Sequence, residues 1–220
     1  MLITKKNFEK AIKVLRDAFD ENQQAQKLLT ELWDLSEDIE FLPTGGLQNQ
    51  PQFPIPQEMK ECSEGLALFS DGACRGNPGP GAWAGFAQNL AGEVLFKLEG
   101  VEVSTTNNKM ELEAAVCCLE ETLSYLSENK LDDTIPVYLF SDSKYVVNGA
   151  QKWMQGWKEK GWKKADKKAP ENIELWKRMD SAVDSISNPL HFIWVKGHSG
   201  HPQNEYCDQE ANRLLDESGF

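Results

Sequence analysis

One short pattern occurs twice in this chain, LFSDG at residues 68–72 and LFSDS at 139–143. Each copy closes an apolar run, LALFSD (66–71) and PVYLFSD (136–142), that reads as a β-strand ending in an aspartate. Side chains alternate along a strand with a period of two, so Phe69 and Asp71 share one face, as do Phe140 and Asp142. If the strands are parallel neighbours, the two aspartates emerge side by side at the carboxyl edge, where open α/β sheets build their sites. A single SDG is better read as a turn or a helix cap. Two copies in the same setting favour a function.

The surrounding pattern supplies the rest of the sheet. Strands are expected over roughly 82–89 and 93–99, with a turn from Asn89 to Gly92, and at HFIWV (191–195). Helices are expected from Glu111 to about Tyr125, over about 171–186 and from Gln203 to Leu215, with a lysine-rich helical stretch after the 136–142 strand. Strands first and βα units later specify an α/β fold, a mixed sheet flanked by helices, in residues 64–220. Upstream, residues 1–40 read as a helical hairpin. Phe8, Ile12, Leu15 and Phe19 form one apolar stripe, Leu28, Leu32 and Leu35 a second, and Thr4 is the expected N-cap. Helices this short are marginal alone. The hairpin therefore calls for a partner surface, by docking on the other domain, by dimerisation or by binding another protein. Between the two parts, residues 41–63 contain Pro43, Pro51, Pro54 and Pro56 and read as an extended linker.

Composition narrows the setting. A chain of 220 residues that is 40% hydrophobic and 26% charged is ordinary globular material. No apolar run approaches the roughly 18 residues of a membrane span, and MLITKKNFEK lacks a signal-peptide core, so no membrane association is expected. Five cysteines without a CxxC pair suit reduced thiols in a cytoplasmic protein, with Cys117 and Cys118 serving as core filler. The net charge of −12 opposes nucleic-acid binding in bulk. Yet residues 152–168 hold seven lysines against only Glu159 and Asp166, a local surplus of five.

Two further acids join the paired aspartates. Glu111 heads a helix face with Ala115 and Cys118, whereas Glu113 lies about 200° further round and is expected to face water. Asp208 shares a face with Ala211 and Leu215 in QNEYCDQEANRLL. Carboxylates on buried faces are costly unless paired or metal-bound. Four of them suit hard divalent cations, and two such ions about 3.5–4 Å apart suit phosphodiester hydrolysis.

These residues sit in longer motifs. FSDGACRGNPGPGAWAG, TTNNKMEL, FSDSKYVVNG and WVKGHSGHPQNEYCDQEAN, spread in order over residues 66 to about 215, resemble the four motifs of type 1 ribonuclease H. The resemblance implies the ribonuclease H-like fold, with a five-stranded mixed sheet. It also implies an endoribonuclease that hydrolyses the RNA strand of an RNA–DNA hybrid with two Mg2+ ions (Mn2+ as a substitute), leaving 5′-phosphate and 3′-hydroxyl ends. By position, Asp71, Glu111, Asp142 and Asp208 would be the metal ligands, and His198 in the GHSGH loop would assist proton transfer or product release. Asn77, Asn107 and Asn108 would contact the hybrid's minor groove, where amides suit both donors and acceptors. The backbone around Cys74 and Gly76 would face the RNA sugars, and Thr106 and Asn172 would grip a DNA phosphate. WMQGWKEKGWKKADKK resembles the family's basic protrusion, with Trp153 and Trp157 beside a DNA-binding face of Lys158, Lys160, Lys163, Lys164, Lys167 and Lys168. Of Trp153, Trp157 and Trp162, at least two are expected to be packing residues.

The chain departs from the family's pattern in three places. Ser104 stands where many members place an arginine that reinforces the phosphate pocket, and Glu171 where a lysine is frequent. Residues 1–62, with seven basic and eleven acidic residues, do not resemble the family's N-terminal hybrid-binding domain. A catalytically silent hybrid reader, or a transposase-like enzyme on the same fold, are the competing readings. The complete set of acids and the loop histidine weigh against the first, TTNN and the basic stretch against the second. A zinc site from His198, His201 and Cys207 is open on residue types, although Cys207 immediately precedes one of the four acids.

Overall fold

The structure, a computed structural model, describes residues 5–20, 22–36, 52–197 and 199–220. These fall into two compact units, one up to Ser36 and one from Gln52 onward. Thr4 and residues 37–51 of the expected hairpin and linker lie outside the described residues. No described helix is long and apolar enough to cross a membrane.

The first unit is the expected pair of helices, α1 (Lys5–Ala18) and α2 (Gln23–Leu35). Asn22 caps α2 by accepting from the Ala25 N–H, and the Gln26 amide donates to the carbonyls of Arg16 and Phe19, closing the turn. The inner face of α2 differs from the expected stripe. Trp33 approaches Phe8 and lies under the Arg16 guanidinium, while Leu28, Leu32 and Leu35 are exposed. Trp33 offers the largest apolar surface on α2 and a ring face for a cation, so it takes the inner position.

The second unit is a five-stranded sheet in the order β3-β2-β1-β4-β5, formed by β1 (Leu66–Cys74), β2 (Gly79–Gln88), β3 (Val94–Thr105), β4 (Val137–Ser141) and β5 (Leu190–Trp194). β1 pairs antiparallel with β2 and β2 with β3, whereas β4 lies parallel to both β1 and β5. The mixed sheet is thus the one expected, with β1 and β3 extending further than their apolar patterns. Alternation divides the core. Leu68 and Leu139 face α3 (Asn107–Glu128) and α6 (Ile173–Ser185), whereas Phe69, Phe86 and Phe140 face the side of α7 (Pro202–Glu217). On that side Phe69 stacks on Phe86 and Phe140 at 5.2 and 5.0 Å.

Two expectations change on this unit. Residues 52–62 are no linker. Phe53 stacks on Phe86 at 4.8 Å, Met59 is wholly buried, and a 3-10 turn runs over Gln57–Met59. The prolines hold the segment extended while the apolar residues between them find the sheet. Glu113, expected in water, pairs with Arg178 of α6 at 2.7 Å, because Arg178 reaches across to bind Glu113 and Glu120 together.

The lysine-rich region is helical only in its first half. α4 (Lys144–Asn148) passes through a wide π turn (Gly149–Trp153) into α5 (Met154–Glu159), after which the chain continues in turns through residue 168. Trp157 and Trp162 pack on the core, as expected of two of the three tryptophans, and Trp153 is 39% exposed. Trp176 of α6 anchors the base: it is fully buried, meets Trp157 edge-on, and donates to the Tyr145 hydroxyl at 2.9 Å. Gly149 allows this, since a Cβ there would collide with the Trp176 ring. Gly149→Ala should therefore destabilise the protein by about 1–3 kcal/mol. Gly156→Ala, where a Cβ would meet nothing within 4 Å, should be neutral or stabilising. Urea unfolding of both variants checks the contrast, and equal midpoints would refute it.

Candidate active site

Asp71 lies on β1 and Asp142 directly after β4. The two strands pair in parallel with Phe69 opposite Phe140, so both carboxylates leave the sheet at one edge. The third acid arrives from the other layer. Gly72 faces α3, and a side chain there would stand 2.6 Å from the Met110 carbonyl carbon and 2.8 Å from its Cβ. Its absence lets the first turns of α3 touch β1 and brings Glu111 to the strand ends. Oxygens of Asp71, Glu111 and Asp142 all lie within 4.8 Å of one another. Asp208, from α7, lines the same cleft but is not one of this close trio, and its Oδ1 accepts from the Asn212 amide at 2.9 Å.

Crowding and burial set the charge state. Burial, then the neighbouring charges of Asp142 and Asp208, push the Asp71 carboxyl up to about 8, although the Gly72 N–H favours its ionised form. Burial likewise raises Glu111 well above the carboxylate range, with Asp71 and Asp142 adding to the effect. Asn107 donates to one Glu111 oxygen at 3.3 Å, and the other, Oε2, is buried without a hydrogen-bond partner among the described residues. An orphaned oxygen within a knot of like charges fits a divalent cation, which prefers oxygen ligands and relieves the repulsion. Asp71, Glu111 and Asp142 can hold such an ion.

The pattern of the sequence did not single out Asn204. Its amide, almost fully buried, donates to Asp71 Oδ2 at 3.4 Å and to Asp142 Oδ2 at 3.2 Å. The available signal was its place one helical turn before Asp208, on the same face of α7. Of the residues that left a zinc site open, Cys207 is buried with its thiol pushed well up by that burial, and His201 lies against the rings of Phe69 and Phe140. His198 lies outside the described residues.

Of the expected substrate contacts, Cys74 and Asn107 line the cleft. Cys74, Gly76, Asn77, Asn107 and Asn108 cluster where the β1–β2 turn meets the start of α3, and Asn77 Oδ1 accepts from the Asn107 N–H at 3.3 Å. Thr106 caps α3, accepting from the Lys109 N–H, and Asn172 holds a left-handed backbone before α6 while donating to Tyr145. Lys160, Lys163, Lys167 and Lys168 are exposed and Lys164 partly so. Lys158 differs: it turns to α6 and pairs with Asp180 and Asp184 at 3.0 and 2.6 Å, because those acids stand beside its helix.

Comparison with known proteins gives a consistent answer. The RNase H family model matches residues 63–215. The chain is 46% identical over 152 residues to a ribonuclease H of Alcanivorax borkumensis, covering 69% of this chain and 92% of that one. It is also 46% identical over 149 residues to a ribonuclease H of Agrobacterium fabrum, covering 68% and 93%. Among solved structures, LC9-RNase H1, a type 1 RNase H with the type 2 active-site motif, superposes with a TM-score of 0.56 at 28% identity, over 70% of this chain and 73% of that one.

The raised carboxyls carry a stability consequence. With a folded pKa of about 8 against an ordinary 3.8, Asp71 binds its proton more tightly in the folded chain. Its favourable contribution is complete below about pH 4 and is lost as the pH rises through about 8, the reverse of a salt-bridged carboxylate. Metal-free Asp71→Asn should therefore melt several degrees above the parent at pH 8, with the gap closing toward pH 4. Magnesium should raise the parent's melting temperature at pH 8 more than the variant's. Identical melting curves at pH 8 would refute this account.

Proposed function

Because the chain belongs to the ribonuclease H family, we propose that it is a metal-dependent endoribonuclease that hydrolyses the RNA strand of RNA–DNA hybrids. The observation that carries this reading is the crowded trio Asp71, Glu111 and Asp142, the first two buried, with an orphaned Glu111 oxygen, opening on an amide-lined edge. In this reading the three acids hold divalent ions, Mg2+ in the first instance, and Asp208 completes the set from α7. When bound, a pair of such ions supplies an activated water and charge stabilisation at the leaving oxygen, giving 5′-phosphate and 3′-hydroxyl ends. His198 is assigned the proton-transfer or product-release role.

The chain's own groups orient the substrate. Asn77, Asn107 and Asn108 offer amide donors and acceptors, and Cys74 and Gly76 bring the turn backbone close, the chemistry that 2′-hydroxyls and base edges require. Thr106 and Asn172 have structural duties as a cap and as a partner of Tyr145. Their assignment to a DNA phosphate rests on the family motif alone. Lys160, Lys163, Lys164, Lys167 and Lys168, with the exposed ring of Trp153, form the face for the DNA backbone, while Lys158 and Trp157 support it from below. On a body of charge −12, this patch supplies the local positive potential that phosphates need.

The deciding experiment is cleavage of an end-labelled hybrid with and without magnesium, alongside duplex DNA and duplex RNA. Only the RNA strand of the hybrid should be cut, only with the metal, and Asp71→Asn should abolish cutting. Failure of the parent to cut, or cutting of duplex DNA, overturns the reading. A second prediction concerns the protrusion. Replacing Lys163, Lys164, Lys167 and Lys168 by alanine should raise KM about tenfold or more at moderate salt with kcat little changed. It should also flatten the slope of log affinity against log salt by up to about 4. An unaltered salt slope would remove these lysines from the interface.

A further inference from the structure

The segment matched by the family begins at residue 63, yet the catalytic unit begins earlier, with residues 53–59 laid across the α7 side of the sheet. Phe53 stacks on Phe86 at 4.8 Å and meets Tyr206 of α7 edge-on at 5.3 Å, and its N–H donates to the Gly92 carbonyl at 3.2 Å. The next carbonyl is the centre of a buried polar junction. Pro54 O accepts from Gln203 Nε2 at 2.6 Å and from Gln88 Nε2 at 3.2 Å, and Gln203 donates also to Gln88 Oε1 at 3.2 Å. Both glutamines are 1% exposed or less, so without this carbonyl their amides would lose a partner in a place water does not reach.

Gln203 is the second residue of α7, and the residue after it, Asn204, bonds to both Asp71 and Asp142. Asp208 follows one turn later. The backbone that carries the three crowded carboxylates is placed without α7, two by the β1–β4 pairing and one by the contact of α3 with Gly72. α7 is the remaining element that carries an acid of the cleft, and Gln203 and Tyr206 tie it to residues 53–59. We propose that these residues act as a positioning strap, in which the Pro54 carbonyl holds Gln203 and so sets Asn204 and Asp208 against the carboxylate trio. The strap touches no reacting atom. It extends the catalytic unit beyond the segment that the family model matches, and it rests on the ribonuclease reading above.

The test uses the full chain carrying Phe53→Ala, Gln203→Met (which removes the amide and keeps the volume) or both, with Ile55→Ala, exposed on the same segment, as a control. Hybrid cleavage and Mn2+ binding without substrate, followed by calorimetry and electron paramagnetic resonance, are measured well below each melting temperature. The expected result is a fall in kcat of about 10- to 100-fold with KM unchanged, and weaker Mn2+ binding. The double variant should be no worse than the more impaired single one, because both break one connection. Phe53→Leu should recover most of the loss, and Ile55→Ala should match the parent. If Phe53→Ala does not fold, Gln203→Met carries the same expectations alone. Unchanged kcat and Mn2+ binding in folded variants, a change in KM only, or multiplicative losses in the double variant would each overturn the strap. An inactive parent would instead strike the ribonuclease reading.

Discussion

The crowding of like charges at one sheet edge is the condition to which the rest of the structure is fitted. Oxygens of three acids share a space of 4.8 Å, and two of those acids are nearly sealed from water. Left ionised, they would oppose folding. The surroundings are arranged to make them tolerable without separating them. The Gly72 N–H, the Asn107 amide and the Asn204 amide each direct a donor at the cluster, and burial pushes the Asp71 carboxyl up to about 8. Behind them the stacked rings of Phe53, Phe86, Phe69 and Phe140 add aromatic contacts, each pair worth about 0.5–1.5 kcal/mol beyond its burial. The cluster is thus a strained feature set on a strongly packed base, where a cation converts repulsion into attraction.

Much of this was legible in the sequence because it depends on local periodicity. The alternation in LFSD placed Asp71 and Asp142 on one face, and the helical spacing of Glu111, Ala115 and Cys118 marked a buried acid. What stayed hidden depends on partners distant in the chain. Glu113 lies off the sheet-facing side of its helix, but Arg178, sixty-five residues on, occupies the space outside it. Leu28, Leu32 and Leu35 are spaced as an apolar stripe yet stay exposed, because Trp33 competes for the same interior and takes it. Prolines mark residues 51–56 as extended, and that reading is physically sound. It does not say whether an extended segment is free or laid on a sheet, a matter settled by Phe53 and Met59 finding Phe86 and Gly65. Asn204 is polar, and its place one turn before Asp208 puts it on the right face without separating a bridging amide from a solvated one.

Charge is distributed by the same logic. Acids that outnumber bases across the chain are met by a few arginines that each serve several. Arg178 joins Glu113 and Glu120 between α3 and α6, and Arg213 joins Glu99, Glu210 and Glu217 between α7 and β3. These exposed pairs contribute little individually. Their collective effect is to occupy the scaffold's own cations, so that the lysines from 160 to 168 are left as a distinct positive surface on a negative body.

The aromatic base of that surface has a geometric consequence. Trp176 grips Tyr145 and Trp157 at once, and the turns beyond are pinned by backbone bonds from Trp162 to Trp157 and between Lys164 and Lys168. The distance from the carboxylates to the lysine-bearing turns is therefore held by the fold and does not await a ligand. Two fixed points of opposite charge on one rigid frame act as a gauge. In the function proposed above, a double helix laid across both would present one strand to the acids and the other backbone to the lysines at that one spacing. On that reading such a frame would discriminate by groove width and helical form, independent of base sequence, and lose little conformational entropy when the fit is made.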